Sequence, residues 1–482
     1  MKIPARAALA VTVLAIRALA VSLPARAAHA AAAASAVAAA PAAAAGDIVP
    51  LLQDYLRIDT SNPPGNEMKT ARFLEALLAK DGIPSEILEI APGRADLIAR
   101  IKGDGSKKAL LLFSHMDVVQ ADRSRWTVDP FAATIKDGYL YARGSLDMKT
   151  TGLLQALTMI RLKREGVPLA RDIVLIATSD EEVDSIGMTK LIEMRPELFK
   201  GIELAITEGD TIDVEKGRTR SWSVDVSEKA ALWLRLTATG EAGHGSIPFK
   251  KGNAIESLLA ALERVRRFET PLLVQPTVAR YFAALKDHFP DLPAARLADL
   301  EASLRDPAFR EAFLAERERA ALVRNTIAIT VLKGGPQTNV IPSTASAELD
   351  CRLLPGQDPA DFTKEIERVV ADPAVKIASI TPVFPASASA TDSDLFRAIE
   401  KAAAKHDPGI PVVPTILTGW TESSLMRPLG IASYGFEPYA LDKEENRRTH
   451  GDDERISLEN VRRATEIVYD IVRETAAKSP RR

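Results

Sequence analysis

Three short apolar runs, residues 109–114, 172–178 and 204–207, are separated by stretches of helical periodicity such as 151–165 and 189–194. A strand with one wet face alternates polar and apolar side chains, so a continuous apolar run belongs in a sheet covered on both faces. Such runs separated by helices predict the buried middle of an α/β sheet. Ahead of them, residues 48–80 carry helical spacing on both sides of the turn-forming segment Asp59-Thr60-Ser61-Asn62-Pro63-Pro64-Gly65, which predicts a helix, a loop and a second helix.

The pattern changes near Ala230, where Leu232-Trp233-Leu234-Arg235-Leu236-Thr237-Ala238 opens a second set of elements. A helix about 253–268, strands about 326–332 and 345–353, a helix about 361–370 and a strand about 375–380 make a ferredoxin-like βαββαβ order. Between its first helix and second strand lies an insert of helical character, roughly 275–318, too long for an ordinary connection. After Pro385 the α/β pattern resumes and ends in a helix over 457–476. A chain of 482 residues exceeds one ordinary core, and the expected organisation is an α/β domain in two pieces, 47–229 and 384–482, with 230–383 inserted between them.

The first thirty residues combine a basic start, an Ala/Val/Leu run and Ala28-His29-Ala30, the pattern of a secretory leader with a small-residue cleavage site. Arg17 interrupts the run, which argues against a permanent membrane span. Residues 31–46 are rich in Ala and lack larger apolar groups, as in a flexible linker. Export to the periplasm or beyond is the expected destination. The formal charge is −3; the leader holds Lys2, Arg6, Arg17 and Arg26 and no acid, so −3 less +4 leaves about −7 on the rest. That balance disfavours nucleic acid as a partner. Cys351 is the only cysteine, which excludes an intramolecular disulfide and a thiolate metal cluster. Any metal is left to imidazole and carboxylate, which suit zinc, manganese or cobalt.

Polar groups gather where the apolar runs stop. Ser114-His115-Met116-Asp117 follows the first run and puts His115 at the carboxyl edge of the sheet, where α/β proteins collect ligand groups. In a His-x-Asp triplet on extended backbone both side chains share a face, so Asp117 is placed to orient the imidazole. Gly144-Ser145-Leu146-Asp147-Met148-Lys149 precedes a helix, Asp180-Glu181-Glu182 closes the second run, and Thr207-Glu208-Gly209-Asp210 closes the third. His450 stands far away in Arg448-Thr449-His450-Gly451-Asp452-Asp453-Glu454. Each piece alone has an ordinary explanation as a capping residue or a solvated acidic turn. Read as successive strand ends offering His, Asp, Glu and Glu, with a distant His, they form a ligand set for two divalent ions bridged by one carboxylate.

This ordered series, from about residue 48 to 476, closely resembles the di-zinc metallopeptidases that include aminoacylase, glutamate carboxypeptidase, acetylornithine deacetylase and succinyl-diaminopimelate desuccinylase. The resemblance implies that His115 and Glu208 bind one zinc, that Glu182 and His450 bind the other, and that Asp147 bridges them, with cobalt or manganese as substitutes. It makes Glu181 the general base, a role that spacing alone does not divide between Glu181 and Glu182. It also implies that the inserted domain is a lid. Gly243-His244-Gly245-Ser246 resembles the lid segment whose histidine, His244 here, serves the oxyanion. Thr338-Asn339-Val340-Ile341-Pro342 and Asp350-Cys351-Arg352 resemble the segments whose Asn and Arg grip substrate, Asn339 and Arg352 here. A guanidinium matches a carboxylate with two parallel hydrogen bonds, so Arg352 is the expected receptor for a free carboxylate.

The segment Thr418-Gly419-Trp420-Thr421-Glu422-Ser423-Ser424 departs from the family. Relatives carry a Gly-rich stretch with Asp there, whereas here Trp420 and Glu422 intervene, and Gly419 is the expected substrate contact on that side. The long insert and Arg324-Asn325-Thr326 resemble the carboxypeptidase S and N-acyl-amino-acid hydrolase branch. The implied activity is hydrolysis of an amide beside a free carboxylate, on a short peptide or N-acyl amino acid, with pairing of lids into a homodimer as a further expectation. The rival expectations are a peptide-binding protein without catalysis and a lid that mainly dimerises; the complete ligand set with its base disfavours the first. His288 and His406 stand outside the series and read as surface residues.

Overall fold

The computed structural model describes residues 48–478 apart from Lys251, Pro382 and Phe384. The leader expected at 1–30 and the linker at 31–46 lie outside the described residues. The central feature is an eight-stranded mixed sheet in the order Val412–Leu417, Arg218–Glu228, Ala432–Leu441, Ile202–Glu215, Ala109–His115, Ile173–Thr178, Arg94–Ile101, Ser85–Ala91. The Ala109–His115 strand runs parallel to both of its neighbours, and Arg94–Ile101 antiparallel to Ile173–Thr178.

The apolar runs sit where they do because both faces of this sheet are covered. Leu110, Leu112 and Leu175 join one core cluster with the helices Lys149–Arg164, Asp394–His406 and Leu458–Ala476. Leu111, Phe113, Val174 and Ile176 face the opposite way, onto Met188 and Leu191 of the helix Ile186–Met194. Successive side chains on a strand point to opposite faces, so an unbroken apolar run supplies both layers at once.

A second, four-stranded antiparallel sheet has the order Thr326–Lys333, Thr344–Leu353, Ala230–Thr239, Val375–Ser379. Its helices Ala254–Arg267 and Pro359–Val370 cover one face through Leu258, Ala261, Leu262, Phe362 and Ile366. The strand order and the alternation of strand and helix are ferredoxin-like. Asn253 and Asp358 start the two helices, each accepting two backbone amides.

The long insert folds as short helices, Pro276–Ala284, Ala294–Leu297, Leu300–Ser303, Pro307–Leu314 and Arg317–Leu322. They share an aromatic core of Phe282, Phe309 and Phe313, which also takes in Ile416 from the edge of the central sheet.

Candidate metal centre

His115 closes its strand fully buried, and its imidazole Nδ1 lies 2.9 Å from the carbonyl oxygen of Asp117. A carbonyl only accepts, so Nδ1 carries a proton and Nε2 faces outward. Nε2 is 2.9 Å from Asp147 Oδ1 and 3.3 Å from Glu208 Oε2. Carboxylate oxygens at that range call for positive charge at Nε2, supplied by a proton on the ring, whose pKa, despite burial, they raise well above its usual value, or by a bound cation. The Asp117 carboxylate does something the triplet did not reveal. It stands 3.7 Å from the imidazole and instead accepts the backbone amides of Glu181 at 3.1 Å and Glu182 at 3.2 Å. Imidazole orientation falls to the carbonyl of Asp117.

The other expected ligands reach the same place by different routes. Asp147 does not end a strand of the central sheet; it precedes the helix Lys149–Arg164, just beyond the strand Tyr139–Tyr141 of a separate three-stranded sheet. Glu208 lies within the strand Ile202–Glu215 rather than at its end. Pairing with the neighbour jumps from Thr207↔Gly435 to Asp210↔Phe436, a bulge of the kind that re-aims a side chain. Gly209 permits it, since a Cβ there would lie 2.5 Å from the Gly435 backbone. His450 arrives from a turn with positive φ, 62°, and its Nε2 is 2.9 Å from Asp147 Oδ2 and 3.1 Å from Glu182 Oε2. Asp147 thus turns one oxygen to each histidine.

Glu181 completes the cluster. One ligand atom from each of His115, Glu181 and Glu208 lies within 4.8 Å of the others, as does one from each of His115, Asp147 and Glu182. No hydrogen bond to the Glu181 carboxylate is found among the described residues. Burial first, then the charge of Glu208, pushes its pKa well above the usual carboxylate range. Burial lifts Glu208 to about 7, against the pull of His115. Hydrogen bonds to Asp147 and then Glu182 raise His450 to about 10 despite burial. Four carboxylates crowd two imidazoles, close enough to push protons onto acids and imidazoles alike, and Glu182 Oε1 is buried with no hydrogen-bond partner. Crowded carboxylates, two outward imidazole nitrogens and an orphaned oxygen all fit divalent cations bound by oxygen and nitrogen.

The expected lid residues keep to their own surroundings. His244 is exposed on the two-residue strand Gly243–His244, opposite Val340, and accepts the Ser246 hydroxyl at Nδ1 over 2.7 Å. Asn339 adjoins it, its carbonyl taking the Gly245 amide at 2.8 Å. Arg352 forks onto Asp350 at 2.8 and 3.3 Å, with 24% of its side chain exposed. Gly419 lies beyond the strand Val412–Leu417. These four make no hydrogen bond to the five clustered ligand residues. His406 binds Asp470 at 2.6 Å, and His288 faces Glu215 at 3.6 Å.

Several residues that matter were invisible as motifs. Asn62 donates from Nδ2 to Asp117 at 2.8 Å and to Asp180 at 2.9 Å, and Arg94 joins Asp180 to Glu67. Together they fix the turn carrying Glu181. Glu437 and Glu422 are buried acids beneath the cluster, bonded to Thr151 and Thr178, and burial raises both well above the ordinary range.

Known proteins resemble the chain over most of its length. The family model described as Peptidase family M20/M25/M40 matches residues 111–474. An N-fatty-acyl-amino acid synthase/hydrolase, PM20D1, of Xenopus tropicalis is 29% identical over 394 residues, covering 80% of this chain and 76% of that protein. Aminoacylase-1 of Mus musculus is 29% identical over 415 residues, covering 84% and 91%. Among solved structures, an M20 family metallo-carboxypeptidase from Sulfolobus solfataricus superposes with a TM-score of 0.69 at 21% identity, over 89% of this chain and 98% of that one.

Proposed function

The chain belongs to peptidase family M20/M25/M40, and from that premise we propose that it is a two-metal amidohydrolase cleaving an amide bond next to a free carboxylate. The observation that carries this reading is the Asp147 carboxylate, with one oxygen 2.9 Å from His115 Nε2 and the other 2.9 Å from His450 Nε2. His115 and Glu208 would hold one zinc, Glu182 and His450 the other, and Asp147 both. When bound, such a pair supplies Lewis acidity that lowers the pKa of water and polarises a carbonyl.

The protein's own residues account for the proton. Glu181 has a carboxylate free of hydrogen bonds on a backbone pinned by Asp117. It takes the proton of the attacking water and delivers it to the departing nitrogen. His244 donates to the oxyanion when the exposed Gly243–His244 segment closes on substrate, with Asn339 beside it and Gly419 lining the opposite side. Arg352 receives the substrate carboxylate in place of Asp350.

Substrates of this description, an N-acyl amino acid or a short peptide, accord with relatives named for N-fatty-acyl-amino acid and aminoacylase activity. Export is supported by the basic, Ala-rich leader; no helix among the described residues is long and apolar enough to cross a membrane. Pairing of two copies is supported by the edge strand Thr326–Lys333, which exposes Ile329 and Leu332.

The test is elemental analysis of the purified protein together with mass spectrometry of its products from a panel of N-acyl amino acids and dipeptides, each with the carboxylate free or amidated. Two metals per chain and a strong preference for free acids are expected. A chain that binds no divalent metal, or that cleaves amidated and free substrates equally, overturns the reading.

A further inference from the structure

Two of the clustered side chains come from opposite ends of the protein. Asp147 precedes a helix in the first third, and His450 sits in a turn near the end, yet their side chains meet at 2.9 Å. In that turn His450 and Asp453 have φ of 62° and 54°. Such angles are uncommon away from glycine, although aspartate and histidine adopt them more readily than most residues.

One buried ion pair ties this turn to the segment that carries Asp147. Glu454 Oε2 accepts Arg143 Nη1 at 2.5 Å, and the two side chains are 0% and 3% exposed. The other Glu454 oxygen accepts the backbone amides of Leu146 at 2.7 Å and Asp147 at 3.3 Å. Arg143 Nη2 donates to the carbonyls of His450 at 3.3 Å and Gly451 at 3.0 Å. Every remaining side-chain hydrogen bond of the pair therefore ends on backbone at or next to Asp147 or His450. A buried ion pair is seldom the most stabilising filling for its space, so packing alone does not account for it. His115 and Glu208, by contrast, stand on strands of the central sheet and meet this pair only through the shared Asp147.

We propose that Arg143 and Glu454 are positioning residues that hold the His450 turn against Asp147, so that affinity on the His450 side of the centre depends on them more strongly than does affinity on the His115 side, which shares only Asp147 with them. The inference rests on the two-metal reading above. It makes the two positions unequal by construction, one built on the sheet and the other on an ion pair spanning loops.

The experiment is a titration of the metal-free, full-length protein with Co²⁺, followed by calorimetry and visible absorption, in the parent, in Arg143→Met/Glu454→Met and in Arg143→Lys. The double variant replaces the pair by apolar side chains, an exchange often neutral for folding. Arg143→Lys keeps the charge and loses the fork, and it serves if the double variant does not fold. The expected result is one equivalent binding as in the parent and the second binding about 10- to 100-fold more weakly, with altered absorption for that second ion. Parental affinity for both ions, or equal weakening of both, overturns the proposal and makes the pair a general brace. A parent that binds no Co²⁺ would instead remove the two-metal reading beneath it.

Discussion

The carboxylate of Asp117 accepts the backbone amide of Glu181 at 3.1 Å, which fixes the main chain of that acid while its side chain stays uncommitted. A base held in this way should be separable from metal binding. Glu181→Gln is expected to retain both metals and to lose roughly 10²- to 10⁴-fold in kcat. Elemental analysis beside steady-state kinetics checks it, and near-parental turnover would reassign the proton to another group.

Arg352 is expected to act on binding rather than on chemistry. Arg352→Lys removes the fork and should raise KM about tenfold or more with little change in kcat. Amidating the substrate carboxylate should abolish the difference between variant and parent, since the partner is then gone. An equal penalty on both substrates sinks the assignment.

Asp96 carries a pH signature. Burial lifts it from 3.8 to about 7, although two hydrogen bonds from Ser179 pull the other way. An acid whose folded pKa is the higher binds its proton more readily in the folded chain, so folding weakens as pH rises between these values. Both Ser179 bonds end on Oδ1, and Oδ2 is buried without a partner. Asp96→Asn should therefore match the parent near pH 4 and exceed it by roughly 2–4 kcal/mol at pH 8. Denaturant unfolding at several pH values measures this, and a pH-independent difference contradicts it.

Phe282 anchors the helical insert, fully buried with ring centroids of Phe313 and Phe289 at 5.0 and 5.2 Å. Phe282→Ala should cost about 3–5 kcal/mol. Because the same cluster contains Ile416, hydrogen exchange should quicken in both the insert and the strand Val412–Leu417. Protection lost in the insert alone would show that the two are not coupled.

The runs around Leu110, Leu175 and Leu204 were legible because each residue there serves a covered face, and composition alone expresses that. The strand Arg218–Glu228 was not. It lies inside the sheet yet carries Ser221, Ser223, Asp225 and Ser227, which find partners indoors: Asp225 takes the Asp210 amide and the Thr415 hydroxyl. Polar spacing of that kind looks like surface. Among site residues, His115, Glu182 and Glu208 are conspicuous as polar groups beside apolar runs. Glu454 is not, because in Asp452-Asp453-Glu454 nothing distinguishes the acid that meets Arg143 from the two beside it. Asn62 likewise sits among turn formers, and only distance reveals its double contact.

The position of Arg218–Glu228 between Val412–Leu417 and Ala432–Leu441 has a bearing on biosynthesis. A nascent chain that has left the ribosome only as far as residue 411 still lacks both of those neighbours, and bare strand edges invite adhesion to other chains. Premature stop codons or proteolytic nicks upstream of that point should accordingly yield precipitating fragments rather than smaller working enzymes.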